Sequence, residues 1–233
     1  MLNDTEADVR TDAAIKIAAM FFIAIMFLAV TTDPIATGTQ VNERAPALEG
    51  MMYNGSGWSS FNMQDYITSN WTSEDRVSPW LLVDFMDTDC PYCYRATGTV
   101  YDDSMYFMKY SNTHPAYPGI APWDGPVVNF VGSATELAIP DHETSRDEIK
   151  AFRDKSGSEM CNQGNSACDA RDGGVHRFPY IDDIDQDNMK AWKVSSTPQY
   201  YLVQPDGIVA WRSIDSNGET VADAILRLAG GQP

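Results

Sequence analysis

The chain has 233 residues, and 33 acidic against 16 basic side chains give it a formal net charge of -17 at pH 7. A field of that sign argues against nucleic acid and anionic membrane surfaces as ligands, and for a well-solvated domain. The length allows one enlarged domain with an ample core; no internal repeat is present, and the aspartate-rich, lysine-poor balance is a bias also met in proteins adapted to high salt.

Residues 13–30 are apolar apart from Lys16 and close in an unbroken run from Ile17 to Val30. At about 1.5 Å per residue this lies near the shorter end of what spans a bilayer. No small-x-small cleavage site follows and no lipobox cysteine is available, so an uncleaved signal anchor is preferred to a cleaved signal peptide. Either would send the domain out of the cytoplasm. Arg10 and Lys16 favour a cytoplasmic N-terminus. The chain thus divides into a short cytoplasmic tail (1–12), a transmembrane anchor (13–30), a linker of small and polar residues with Pro34 and Gly38 (31–45), and a folded domain (46–233). The expected location is the cell membrane, single-pass, with the domain outside the cytoplasm.

The apolar run Trp80-Leu81-Leu82-Val83-Asp84-Phe85-Met86 predicts a buried strand, and Cys90-Pro91-Tyr92-Cys93 follows it directly. The cysteine pair then sits where a strand ends and a helix begins. Unsatisfied N–H groups and the positive dipole end of a helix favour a thiolate there, so Cys90 is the expected nucleophile. Pro91 suits the first helical turn, and Cys93, one turn further in, can attack a mixed disulfide at Cys90. Half of a zinc site or two ordinary buried thiols are the alternatives; strand-to-helix placement favours redox chemistry. Asp84 is a costly anion to bury, which implies a raised pKa or a polar partner and a position beneath the cysteines from which it exchanges a proton with Cys93. A partly exposed strand-end aspartate is the alternative. Asp87 and Asp89 oppose the helix dipole and are expected to raise the pKa of Cys90.

Downstream, residues 126–131 and 178–181 read as strands, and 145–155 and 187–193 as helices. Residues 200–203 and 208–212 flank the turn signal Asp206-Gly207, and 220–228 reads as an amphipathic helix. Two stretches do not fit this alternation. Residues 111–125, with His114, Tyr117 and Trp123, read as a long surface loop, with contact to a partner as the alternative. Residues 157–177 contain Cys161 and Cys168, which outside the cytoplasm are most simply a disulfide stapling an inserted loop, worth roughly 2 to 3 kcal/mol by chain entropy. A second redox pair relaying electrons to Cys90 and Cys93 is the alternative.

The strand with its buried aspartate, the Cys-Pro-Tyr-Cys turn and the segment Val194-Ser195-Ser196-Thr197-Pro198-Gln199-Tyr200 together resemble the thioredoxin superfamily. Asp89 stands where an aromatic residue is usual, and the Pro-Tyr dipeptide is the one familiar from glutaredoxins. Residues 45–50 and 58–66 resemble the N-terminal hairpin and short helix of TlpA-like redoxins. The resemblance implies an α/β thioredoxin fold with an N-terminal hairpin extension and inserted loops, preceded by one transmembrane helix. It further implies a cis bond before Pro198, with Thr197 and Pro198, together with Pro91 and Tyr92, contacting the substrate.

The function implied is an extracytoplasmic thiol-disulfide oxidoreductase without cofactor, reducing disulfides of exported proteins and exchanging electrons with a membrane partner. A net oxidant of the DsbA-like type is one alternative. Another is a copper or zinc protein using Cys90 and Cys93, with His114, His142 or His176 as a further ligand. Against it, the three histidines fall in predicted loops without ligand spacing and are expected to be solvated, so no metal ligand is assigned. Asn54-Gly55-Ser56 and Asn70-Trp71-Thr72 match glycosylation acceptors.

Overall fold

The computed structural model describes residues 4–31 and 35–230, with side chains described over 11–27 and 35–230. It divides into two units, residues 1–36 and a second from Thr37 onward. The first unit holds one helix, α1 (Asp4–Thr31). Its N-terminal half is dotted with charge, including an exposed Lys16–Asp12 pair at 2.6 Å. Among the described residues no helix is long and apolar enough to cross a membrane. The anchor expected over 13–30 is therefore not supported at this level, and the side chains of residues 28–30 lie outside those described.

The second unit is built on a seven-stranded sheet in the order β2-β1-β7-β4-β3-β8-β9. Its strands are β1 (Glu49–Tyr53), β2 (Trp58–Asn62), β3 (Trp80–Met86), β4 (Val128–Thr135), β7 (Tyr180–Asp183), β8 (Gln199–Val203) and β9 (Val209–Arg212). A separate two-stranded hairpin pairs β5 (Met160–Cys161) with β6 (Ser166–Ala167). The helices are α2 (Pro91–Phe107), α3 (Arg146–Asp154), the short α4 (Asp187–Ala191) and α5 (Val221–Leu228). Ser145 and Thr220 open α3 and α5 with reciprocal capping boxes to Glu148 and Asp223, each satisfying two otherwise orphaned N–H groups.

The central strand is β3, parallel to β4 and antiparallel to β8. All seven of its residues are buried, which is why it reads as a continuous apolar run rather than an alternating one. Its side chains still alternate between two cores. Trp80, Leu82 and Met86 join the core of α2, α3 and α5 with Val100, Phe152 and Ile225. Leu81, Val83 and Phe85 join Leu48, Phe61, Met63 and Trp192 on the other face. Asp84 has the parity of Leu82 and Met86, which directs it to the face that α2 covers.

One expectation is corrected here. The linker does not run to residue 45: Gly38 N–H donates to Arg44 O at 2.9 Å and Ala45 N–H to Gly207 O at 2.9 Å, so the chain is docked on the domain from Thr37. The segment 111–125 holds no helix or strand and is exposed over most of its length, the surface loop expected. It carries His114 and Trp123 into the core, with Trp123 Nε1–H donating to Pro126 O at 2.7 Å and its ring meeting Phe107 edge-on. Phe85 is fully buried against Trp192 and Tyr201. Phe85→Ala is expected to destabilise the domain by about 3–5 kcal/mol, measured as the urea-unfolding midpoint at unchanged slope.

Candidate active site

After β3 the chain turns through Asp87, Thr88 and Asp89, with Asp87 Oδ1 accepting the Asp89 N–H at 2.8 Å and Cys90 N–H donating to Asp87 O at 3.1 Å. This turn delivers Cys90 to the N-cap of α2, with Pro91 in the first turn and no side chain capping the helix. The capping position is therefore open to the thiol itself. Cys90 and Cys93 are both free and buried, and Cys90 Sγ lies 3.3 Å from the carbonyl oxygen of Thr197. The Thr197–Pro198 peptide bond is cis, and the contact to Thr197 O brings the segment just before β8 to the sulfur.

The two thiols have opposite acidities. A hydrogen bond from Cys93 lowers Cys90 to about 6 against the cost of burial, with Thr197 and the N–H groups of Cys93 and Tyr92 adding to the effect. Cys93 is raised well above the ordinary thiol value, by burial first and then by its bond to Cys90. At neutral pH the pair shares one proton, held on Cys93. The carboxylates of Asp87 and Asp89, expected to raise Cys90, are engaged by neighbouring groups. Asp87 Oδ2 accepts the Leu137 N–H at 2.9 Å and lies 2.6 Å from His142 Nδ1, while the Asp89 oxygens accept the N–H groups of Glu143 at 2.9 Å and Gln163 at 3.1 Å.

Asp84 is 4% exposed, and its Oδ1 has no hydrogen-bond partner. Burial, followed by the negative charge of Cys90, raises its carboxyl to about 8. A small cavity of about 10 Å³ is lined by Asp84, Cys93, Pro198 and the rings of His176, Tyr180 and Tyr200. On the outer side, a groove of about 600 Å³ runs past Cys90 and Tyr92, between Ser195–Thr197 and the segment holding Leu137, Ile139 and His142. Tyr92 is 68% exposed at its rim, with the Arg95 guanidinium 4.5 Å from its ring centroid.

Cys161 and Cys168 form a disulfide with Cα atoms 5.0 Å apart, and both residues are fully buried. Unlike Cys90, neither of them lines the open groove at the helix start, and their bond ties the ends of the β5–β6 hairpin. The histidines are not solvated as expected. His114 is clamped to Asp103 at 2.8 Å, His142 to Asp87, and His176 to the Tyr180 hydroxyl at 2.7 Å. Burial holds His176 well below its ordinary pKa. Among the described residues no group of three or more His, Cys, Asp or Glu side chains could hold a metal ion. His142, Gln163 and Leu137 line the groove without having been singled out for it; no spacing in the sequence marks them.

No family model matches the sequence, and no curated protein matches it significantly. Solved structures do resemble it. The reduced 2-Cys peroxiredoxin of Plasmodium vivax aligns with a TM-score of 0.50 at 16% identity, over 83% of this chain and 96% of that one. An uncharacterised conserved protein from Geobacillus kaustophilus aligns with a TM-score of 0.50 at 17% identity, over 84% of this chain and 85% of that one. The fold is thioredoxin-like. Within it, the Cys-x-x-Cys pair, the aspartate beneath and the cis proline opposite occupy one site.

Two outcomes follow from the acidities. Alkylation of Cys90 in the reduced full-length chain is expected to accelerate as pH rises through about 6 and then to plateau, read by mass spectrometry of the Cys90 peptide. Asp84 binds a proton in the folded chain between the ordinary aspartate value of 3.8 and about 8, where the unfolded chain does not. The folded state thus holds more protons, and stability falls as pH rises across that window. Asp84→Asn removes this term. It should stabilise the protein more at pH 8 than at pH 5, the difference being on the order of a few kcal/mol, measured by urea unfolding at both pH values.

Proposed function

We propose that this chain is a thiol-disulfide oxidoreductase that reduces disulfides in exported proteins from a position outside the cytoplasm. The observation that carries the reading is the acidic Cys90 at an open helix N-cap, hydrogen-bonded to a protonated Cys93. Cys90 thiolate attacks one sulfur of a substrate disulfide; that S–S bond breaks and its other sulfur leaves as a thiolate. Cys93 then attacks Cys90 Sγ, breaking the mixed disulfide and releasing the second substrate sulfur. The protein ends with a Cys90–Cys93 disulfide and the substrate as a dithiol, a balanced two-electron exchange.

Asp84 receives the Cys93 proton. Burial first, and the charge of the Cys90 thiolate second, keep the Asp84 carboxyl protonated. Once Cys90 is consumed in the mixed disulfide the second contribution is gone, so the carboxyl gives up its proton to solvent more readily and stands as the carboxylate that accepts the Cys93 proton. Thr197 and Pro198 form the edge along which the substrate backbone lies, and Pro91 and Tyr92 meet it from the helix. A Cys90 pKa of about 6 sits nearer the thioredoxin value of about 7 than the DsbA value of about 3.5, which favours reduction over net oxidation.

One feature supports the location: the buried Cys161–Cys168 bond is of a kind that persists in oxidising compartments. Full-length protein supplied with dithiothreitol is expected to accelerate insulin reduction. Cys90→Ala should abolish the acceleration, and Cys93→Ala should accumulate a mixed disulfide with insulin. Insulin reduction at the uncatalysed rate by the unaltered chain, or retention of activity by Cys90→Ala, would contradict the assignment.

A further inference from the structure

The disulfide-stapled hairpin is more than a surface insertion, because it reaches the turn that carries Cys90. Asn162 N–H donates to Thr88 O at 3.0 Å, and Gln163 N–H donates to Asp89 Oδ1 at 3.1 Å. Asn162 and Gln163 hold left-handed backbone, with φ of 57° and 56°, which favours a tight turn at the hairpin tip. The Cys161–Cys168 bond at the base of the hairpin keeps that shape closed. The Gln163 carboxamide lies 3.3 Å from His142 Nε2, whose other nitrogen is on Asp87, so one small element braces both acidic residues of the turn.

Asp89 immediately precedes the N-cap cysteine. The first N–H groups of a helix lack intrahelical partners and attract any nearby anion, so a carboxylate there competes with the Cys90 thiolate for them. In this structure both Asp89 oxygens are instead taken by amides of two separate loops, at Glu143 and Gln163. We infer that the Cys161–Cys168 hairpin is a positioning element for the active site: by holding the Asp89 carboxylate it reserves the N-terminus of α2 for the Cys90 thiolate. This rests on the oxidoreductase reading and adds Asp89 and Gln163 to it as positioning residues. The other titratable groups packed around the turn are Asp84 from β3, Cys93 from α2, Glu148 from α3, whose carboxyl feels the Asp89 charge, and Tyr200 from β8, while Arg95 lies over Tyr92.

The test is the pKa of Cys90 in the full-length chain, from its alkylation rate against pH, in four forms: unaltered, Cys161→Ala with Cys168→Ala, Asp89→Asn, and all three together. Opening the hairpin frees one Asp89 oxygen to seek the helix N-terminus, which should raise Cys90 by about one unit. Adding Asp89→Asn should return it to the unaltered value, which a merely structural role of the disulfide would not do. An unchanged pKa on opening, or a rise that survives Asp89→Asn, would overturn the inference while leaving the oxidoreductase reading intact. Should the opened form fail to fold, Asp89→Asn in the closed chain decides. A fall well under one unit is expected, and a fall of a unit or more would show that the carboxylate already competes with the thiolate. An unaltered Cys90 titrating near the ordinary thiol value of about 8.5 would remove both readings together.

Discussion

One proton shared between two buried sulfurs organises this site. Burial penalises charge on both, yet Cys90 stands at the open N-cap of α2, where Cys93, Thr197 and two backbone N–H groups stabilise its thiolate. At Cys93, one turn deeper, burial and the bond to Cys90 outweigh the help of Thr197 and the backbone at Asp87, and the thiol stays protonated. A difference in position of one helical turn thus separates an acidic thiol from one that keeps its proton. The arrangement depends on β3 being buried on both faces, because only a rigid central strand can present the turn, the aspartate and the helix start in fixed relation.

The same burial makes Asp84 costly and useful. An aspartate with an unpartnered oxygen in the face of β3 that α2 covers detracts from stability at neutral pH, and its proton affinity is tied to the charge on Cys90. Stability is given up where the proton is needed. The acidic turn around Cys90 shows the opposite treatment: Asp87 and Asp89 are buried but fully engaged by amides, a hydroxyl and His142, so that their charge is held by the scaffold.

The elements carried by local pattern were legible in the sequence. Strand β3 and the turn after it follow from a bounded apolar run and a Cys-Pro pair, and the helices read over 145–155 and 220–228 are α3 and α5. What failed was long-range. A histidine in a loop reads the same whether solvated or clamped, and His142 finds Asp87 55 positions away. The N-terminal boundary was misplaced because Arg44 pairs with Ile208, which no local window contains. The partners of Asp89 at 143 and 163 were hidden for the same reason, since they belong to loops whose packing the sequence does not announce.

The central claim is that Cys90 and Cys93 form a single exchanging redox couple. Its most direct test is equilibration of the full-length protein in glutathione buffers of graded potential, followed by alkylation and mass spectrometry of the peptide holding both cysteines. The account predicts a two-electron transition with a midpoint closer to the thioredoxin value of about -270 mV than to the DsbA value of about -120 mV. Two thiols that alkylate together at every buffer potential would contradict it.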